Sequence, residues 1–329
     1  MQHRPGRVTR VYLATGDRFG RVDDLETDHA PAWSLEGSGA QCLAVHPSDP
    51  DTVYVGCRGG GLMQSRDGGR SWKALGFPER DVFSVAVSAA DGAVYAGTEP
   101  SRLFRSRDGG GSFEELTALR EIPSAPRWSF PPRPWTSHVR WIAPDPHDGD
   151  RILVGIELGG VMMSRDGGAT FSDHRPGAQP DVHALAWHPT VAGRAYEAGG
   201  GGAAWSHDGG ASWQPADAGR DLHYVWALAV DPGDPDRWFV SAAPGPRQAH
   251  GGSDAGAALY RWEREGPWHR LIPEPLSALP YALIATDGGQ LVAGLGDGRI
   301  LRSRDAGDSW APAPARADAI LALGAIELA

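Results

Sequence analysis

No apolar run in this chain approaches the roughly 18 residues that a membrane-spanning helix needs. The first residues, MQHRPGRVTRVYLATGD, hold no apolar stretch of the kind a secretory leader carries, so a soluble, cytoplasmic protein is expected. No basic run with interleaved aromatics occurs either. With 31 basic against 41 acidic residues the formal net charge is −10, a field that disfavours nucleic acid and anionic membranes. Cysteine is scarce. Cys42 and Cys57 are the only two, and in a reducing compartment both are expected as free thiols. Ser-centred elbows, phosphate-cradling loops and Cys-x-x-Cys pairs are missing. So are long apolar patterns at helical spacing, which removes the helical folds.

What is present is turn-rich and β-rich. The chain has 45 Gly, 27 Pro and 13 Trp, and 41% of its 329 residues are hydrophobic. Short runs such as TVYVG, RILVG and RWFV are bounded by Gly or Asp and read as strands. One eight-residue stretch returns five times: SRDGGRSW at 65, SRDGGGSF at 106, SRDGGATF at 164, SHDGGASW at 206 and SRDAGDSW at 303. Its Asp falls at Asp67, Asp108, Asp166, Asp208 and Asp305, and the longest gap holds one degenerate copy, WEREGPW, that keeps Trp268. A period near 40 with four short strands per unit predicts a β-propeller.

The blades read as about 41–76, 83–118, 139–175, 183–216, 225–271 and 281–313. The ends are each incomplete. Residues 8–35 supply three strands and 318–329 one, so together they make a seventh blade. Closing the ring this way leaves no open sheet edge. The expectation is a single all-β domain over 1–329: a seven-bladed propeller of four-stranded antiparallel blades, closed by both termini in one shared blade.

The pattern Ser-x-Asp-x-Gly-x-x-Trp/Phe resembles the Asp-box, or BNR, repeat of sialidases, sortilin-type receptors, xyloglucan-cleaving glycosidases and photosystem assembly factors. Five full matches at blade spacing extend the resemblance over nearly the whole chain. It implies the fold and leaves the activity open, because this fold hosts many functions. The turn residues have architectural work to do. The Asp accepts backbone N–H bonds, the Gly takes positive φ, and the aromatic buries between blades. Sialidases carry an Arg-Ile-Pro motif near the start; the nearest string here is Glu121-Ile122-Pro123, and no arginine triad is assignable.

Positions that differ between copies point to function. Two residues before the apolar centre of each first strand stand Gln41, Phe83, Arg140, His183, Trp226 and Tyr281. Two residues earlier stand Gly39, Asp81, His138, Asp181, Tyr224 and Leu279. Near the end of the second strand stand Arg58, Glu99, Glu157 and Gly199, with Glu197 two residues before Gly199. Strand polarity puts all three sets at one mouth of the central channel, opposite the repeated turns. Two insertions, 119–137 with Trp128, Phe130 and Trp135, and 243–257 with His250, read as lids or binding loops over that mouth.

The catalytic candidates are therefore His183, Glu157, Asp81, Asp181, Arg140 and Tyr281. The substrate-binding candidates are Arg58, Glu99, Glu197, Tyr224, Trp226, Trp128 and Trp135. His138, His183 and His223, from three successive blades, are the candidate ligands of one divalent metal, with Fe, Zn, Mn, Cu and Mg undistinguished. No organic cofactor is indicated. The leading expectation is a propeller enzyme binding a small organic or carbohydrate substrate at the mouth, with metal assistance; hydrolase, lyase and oxygenase chemistry stay open. Two alternatives stand beside it: a non-catalytic scaffold with a protein partner, and a glycoside hydrolase with paired carboxylates.

Overall fold

Strands such as Val94–Thr98 and Ala195–Gly199 are buried along their whole length, and short turns join successive runs into antiparallel hairpins. In the computed structural model, which describes residues 8–131, 135–252, 254–264 and 266–327, these hairpins form seven small sheets. Residues 132–134 and 253 of the two insertions, 265 of the degenerate turn and 328–329 of the closing segment lie outside the described residues.

The innermost strands are Ala40–His46, Val82–Val87, Val139–Asp145, Val182–Trp187, Tyr224–Val230 and Pro280–Thr286 in blades one to six. Ala322–Glu327 is the innermost strand of blade seven and touches that of blade one, which closes the ring. That last blade runs Ala322–Glu327, Val8–Ala14, Phe19–Val22, Ala32–Ser34, with Leu13 opposite Leu323. The two ends of the chain thus share one blade, as the sequence predicts. Six sheets have four strands; the third has three, with an isolated bridge between Met163 and Ser172 in the place of the fourth. The only α-helix among the described residues is Pro246–His250, in the second insertion.

Large apolar side chains fill the wedges between blades. Trp238 of blade five is fully buried, with ring centroids 5.4 Å from Tyr196 of blade four and 4.6 Å from Trp268. The degenerate turn keeps Trp268 because its indole N–H donates to the Ala216 carbonyl of blade four at 2.6 Å. Nearer the axis the blades converge, and there strand residues must be small. A Cβ added to Gly155 would lie 2.6 Å from Val182 of the next blade.

The repeated turns are alike in detail. In the first, Asp67 accepts from the Ser71 N–H at 2.9 Å and from the Ser71 hydroxyl at 2.6 Å, while the Ser65 hydroxyl accepts from the Gly69 N–H at 2.8 Å. The same pattern organises the turns at Asp108, Asp166, Asp208 and Asp305. Trp72 buries against blade seven, 4.8 Å from Phe19, and donates to Ser34. The turn of blade seven instead uses Asp24, which accepts from the Glu26 N–H at 2.9 Å.

Candidate functional site at the channel mouth

Six of the innermost strands carry a register slip, always at the same step. It falls between Ala40 and Cys42, Val82 and Ser84, Val139 and Trp141, Val182 and Ala184, Val225 and Leu228, and Pro280 and Ala282. The residue standing at the slip is Gln41, Phe83, Arg140, His183, Trp226 (with Ala227) or Tyr281. A bulge leaves one residue out of the ladder and re-aims its side chain. Here it turns six unlike residues towards the axis. The central channel, about 340 Å³, is lined by the innermost strands of all seven blades. It opens into a mouth chamber of about 490 Å³. Gln41, Phe83, Arg140, Trp226, Tyr281 and Leu321 line both and form the neck between them.

The polar wall of the chamber comes from blades three and four. His138 is buried, packed 4.0 Å from the Phe83 ring, and its Nε2 lies 2.6 Å from Glu157 Oε2. A carboxylate only accepts, so Nε2 carries the proton of that bond. Burial works against charge on Glu157. The His138 bond and the Arg140 guanidinium, 3.8 Å away, outweigh it and hold the carboxyl at about 2. His183, equally buried, meets the Val225 carbonyl through Nδ1 at 2.6 Å. A carbonyl cannot donate, so Nδ1 is the protonated nitrogen. Nε2 then lies 3.5 Å from Asp181 Oδ2 and has no hydrogen-bond partner among the described residues. One ligand atom each from Glu157, Asp181 and His183 falls within 4.8 Å of the other two.

The opposite wall is aromatic and comes from blades five and six. Arg140 lies over the Trp226 ring at 4.6 Å, and His183 lies 4.3 Å from the same ring. The helix of the second insertion delivers His250 between two phenols: Nε2 is 2.9 Å from Tyr224 Oη and Nδ1 2.9 Å from Tyr281 Oη. Tyr281 donates its own proton to the Ala249 carbonyl at 3.2 Å, so it accepts from Nδ1–H, and Tyr224 donates to Nε2. Burial raises the Tyr224 and Tyr281 phenols and lowers the His250 imidazole, keeping all three neutral at pH 7. Phe130, from the first insertion, covers His138 at 5.0 Å.

Other candidates from the sequence lie elsewhere. Asp81 accepts from the Gly59 N–H at 2.8 Å, so its carboxylate closes a turn and lines neither cavity. Asp181, at the equivalent position, lines the chamber and packs on Gly200, where a Cβ would lie 2.0 Å from its Oδ2. Glu197 is fully buried in the sheet, where both its oxygens face the Gln179 N–H at 3.0 Å. Burial pushes that carboxyl well up, against the single bond from Gln179. His223 is exposed and lines neither cavity, so it stands outside the set formed by Glu157, Asp181 and His183. Trp128 packs on the core of blades two and three and donates to Ser124, while Trp135 is 71% exposed. Arg58 sits at the rim, 5.4 Å over the Phe83 ring. Glu99 is half-buried and is raised by that burial against the pull of His138 and Arg58. Leu158, Pro246 and Leu321 line the chamber without any signal in the sequence pattern.

No protein-family model and no curated protein matches this chain. Solved structures do. A GH74 xyloglucanase from Xanthomonas campestris matches at 20% identity with a TM-score of 0.62, covering 93% of this chain and 46% of its own. An ancestral GH74 enzyme matches at 16% and 0.64, covering 89% and 37%. A YCF48 protein bound to a D1 peptide matches at 15% and 0.60, covering 95% and 85%. The likeness is one of fold. The chain spans less than half the length of these GH74 enzymes. It is similar to both as a propeller.

Proposed function

We propose that this chain is an enzyme acting on a small organic molecule held in the mouth chamber. The observation that carries the reading is a chamber of ligand-binding size with two chemically distinct walls. A flat or ring-bearing substrate lies against Trp226, beside the Arg140 guanidinium, which meets an anionic or carbonyl oxygen. Glu157, ionised at neutral pH, suits binding and electrostatic roles better than proton transfer. The chain from Tyr224 through His250 to Tyr281 offers a proton path along the aromatic wall.

The five Ser-x-Asp turns support reading the chain as an Asp-box propeller, an architecture fitting its likeness to GH74 enzymes. Glycoside hydrolysis itself draws less support, because it needs one carboxyl kept protonated beside the sugar. Glu157 is held at about 2, Asp81 is engaged by Gly59, and Glu99, whose carboxyl burial raises, does not line the chamber. A peptide-binding platform is the second reading. It draws on the likeness to a YCF48 protein bound to a D1 peptide, and on the exposed Trp135 and Leu158.

The test is a thermal-shift screen of small carboxylic acids, phenols and oligosaccharides, followed by turnover assays on the hits. A true substrate stabilises the wild type and loses that effect in Trp226→Ala and Arg140→Gln. Hits indifferent to both substitutions, or binding of peptides alone with sensitivity to Trp135→Ser, would reject the enzyme reading.

A further inference from the structure

Among the buried polar groups, the Glu157, Asp181 and His183 cluster has geometry that hydrogen bonding leaves unexplained. Glu157 has a clear partner in His138. His183 does not. With Nδ1–H bonded to Val225, Nε2 keeps its lone pair and lies 3.5 Å from Asp181 Oδ2 without a hydrogen-bond partner, and Asp181 Oδ1 is likewise buried with none among the described residues. That spacing is too long for a good N–H···O bond. It matches the edge of a tetrahedral shell, roughly 3.4 Å when metal–ligand bonds are about 2.1 Å. The imidazole is already fixed in the tautomer that a metal ligand needs, by the carbonyl bond on its other nitrogen.

We infer that Glu157, Asp181 and His183 bind one divalent first-row transition metal ion. The donor set is one nitrogen and two carboxylate oxygens with no sulfur, which suits Zn, Mn or Fe(II) rather than a copper(I) site. Three protein ligands leave further coordination positions open towards the chamber, which Glu157 and Asp181 both line. His138 is a positioning residue: it grips Oε2 of Glu157 and leaves Oε1 for the ion. Two carboxylates neutralise a divalent charge, and Arg140 beside Glu157 then makes the site net positive. An anionic oxygen of the substrate is what such a site attracts. The inference adds a cofactor to the chamber proposed above but stands on ligand geometry alone.

The experiment uses the full chain, stripped with a chelator and dialysed, then titrated with Co²⁺ and followed by its visible absorption, with Zn²⁺ as competitor. One equivalent of saturable Co²⁺, displaced by Zn²⁺, is expected. His183→Ala should weaken binding by more than the roughly 10–100-fold that outer partners command. His223→Ala should leave binding unchanged. His138→Ala should weaken it by roughly 10–100-fold, with partial recovery in His138→Gln, whose amide restores an N–H donor. If His183→Ala does not fold, Asp181→Asn carries the same expectation. Failure of the folded wild type to take up millimolar Co²⁺, or binding that survives the ligand substitutions, overturns the inference. Absence of Co²⁺ uptake together with small-molecule binding that still depends on Trp226 would overturn the metal site and leave the enzyme reading standing.

Discussion

Asp208→Asn isolates what the repeated turn contributes. Desolvation at the turn works against charge on Asp208, but the bonds from Ser212 and Ser206 outweigh it and hold the carboxyl at about 2, against an ordinary 3.8. Two of those bonds are short: the Ser212 hydroxyl at 2.6 Å and the Ser206 hydroxyl at 2.8 Å; the third is the Ser212 N–H at 3.0 Å. A shift of this size corresponds to about 2 kcal/mol before screening. The side chain is solvent-exposed, so about 1 kcal/mol is the expected loss in the asparagine variant. In a chain of this length that lowers the melting temperature by about 2 °C. The sign follows from proton counting. With its pKa depressed in the folded state, Asp208 stabilises above pH 3.8, and the contribution is lost as pH falls through about 2. Calorimetric melts at pH 7 and across pH 4 to 2 should therefore show a gap between wild type and variant that closes on acidification. A gap that persists at pH 2, or none at pH 7, would refute the assignment. Loss of metal or ligand binding would refute the placement of the turns on the face away from the mouth.

Three further outcomes follow from other parts of the structure. Gly155→Ala should destabilise by roughly 1–3 kcal/mol in chemical denaturation, because its Cβ meets Val182 at 2.6 Å between two converging blades. Glu197→Gln should gain on the wild type as pH rises: a carboxyl whose folded pKa is raised costs stability above its unfolded value of 4.5, and the amide has no charge to bury. The readout is the difference in denaturation midpoint at pH 8 against pH 4, expected to favour the variant at the higher pH. Gly200→Ala places a Cβ 2.0 Å from Asp181 Oδ2, so it should weaken Co²⁺ binding while the melting temperature moves little. Unchanged Co²⁺ affinity would mean that Asp181 is not a ligand.

Much of the architecture could be read from sequence because it rests on local, repeated chemistry. Each Ser-x-Asp turn is completed within eight residues, so five copies and one degenerate copy at blade spacing mark six of the seven blades without reference to anything distant. The split seventh blade was legible for a related reason: Ala322–Glu327 and Val8–Ala14 are each strands with an unmet edge, and pairing them is the one way to close a ring. Strand polarity placed the unlike residues at one end of the channel. The candidate site was less legible. Counting by twos treats Gln41, Phe83, Arg140, His183, Trp226 and Tyr281 as ordinary strand residues, whereas each stands at a bulge.

By itself, then, the sequence determined the turn chemistry, the number of blades and the end of the channel where variation collects, since all three follow from contacts between near neighbours. Tertiary structure decided which of the collected residues share a chamber. Asp81 and Asp181 occupy equivalent positions, yet one closes a turn on Gly59 and the other faces His183. Glu157 follows the second strand of its blade and reaches the mouth, whereas Glu197 lies within the second strand of the next blade and is sealed beneath Gln179. His138 and His223 both precede innermost strands, yet one is buried on Glu157 and the other is exposed. The physical reason is that these partners are remote in sequence or set by strand bulges, some on the adjacent blade, as Gly59 is for Asp81, and some across one blade's own hairpin, as Glu157 is for His138, so only the folded sheets bring them within hydrogen-bonding range.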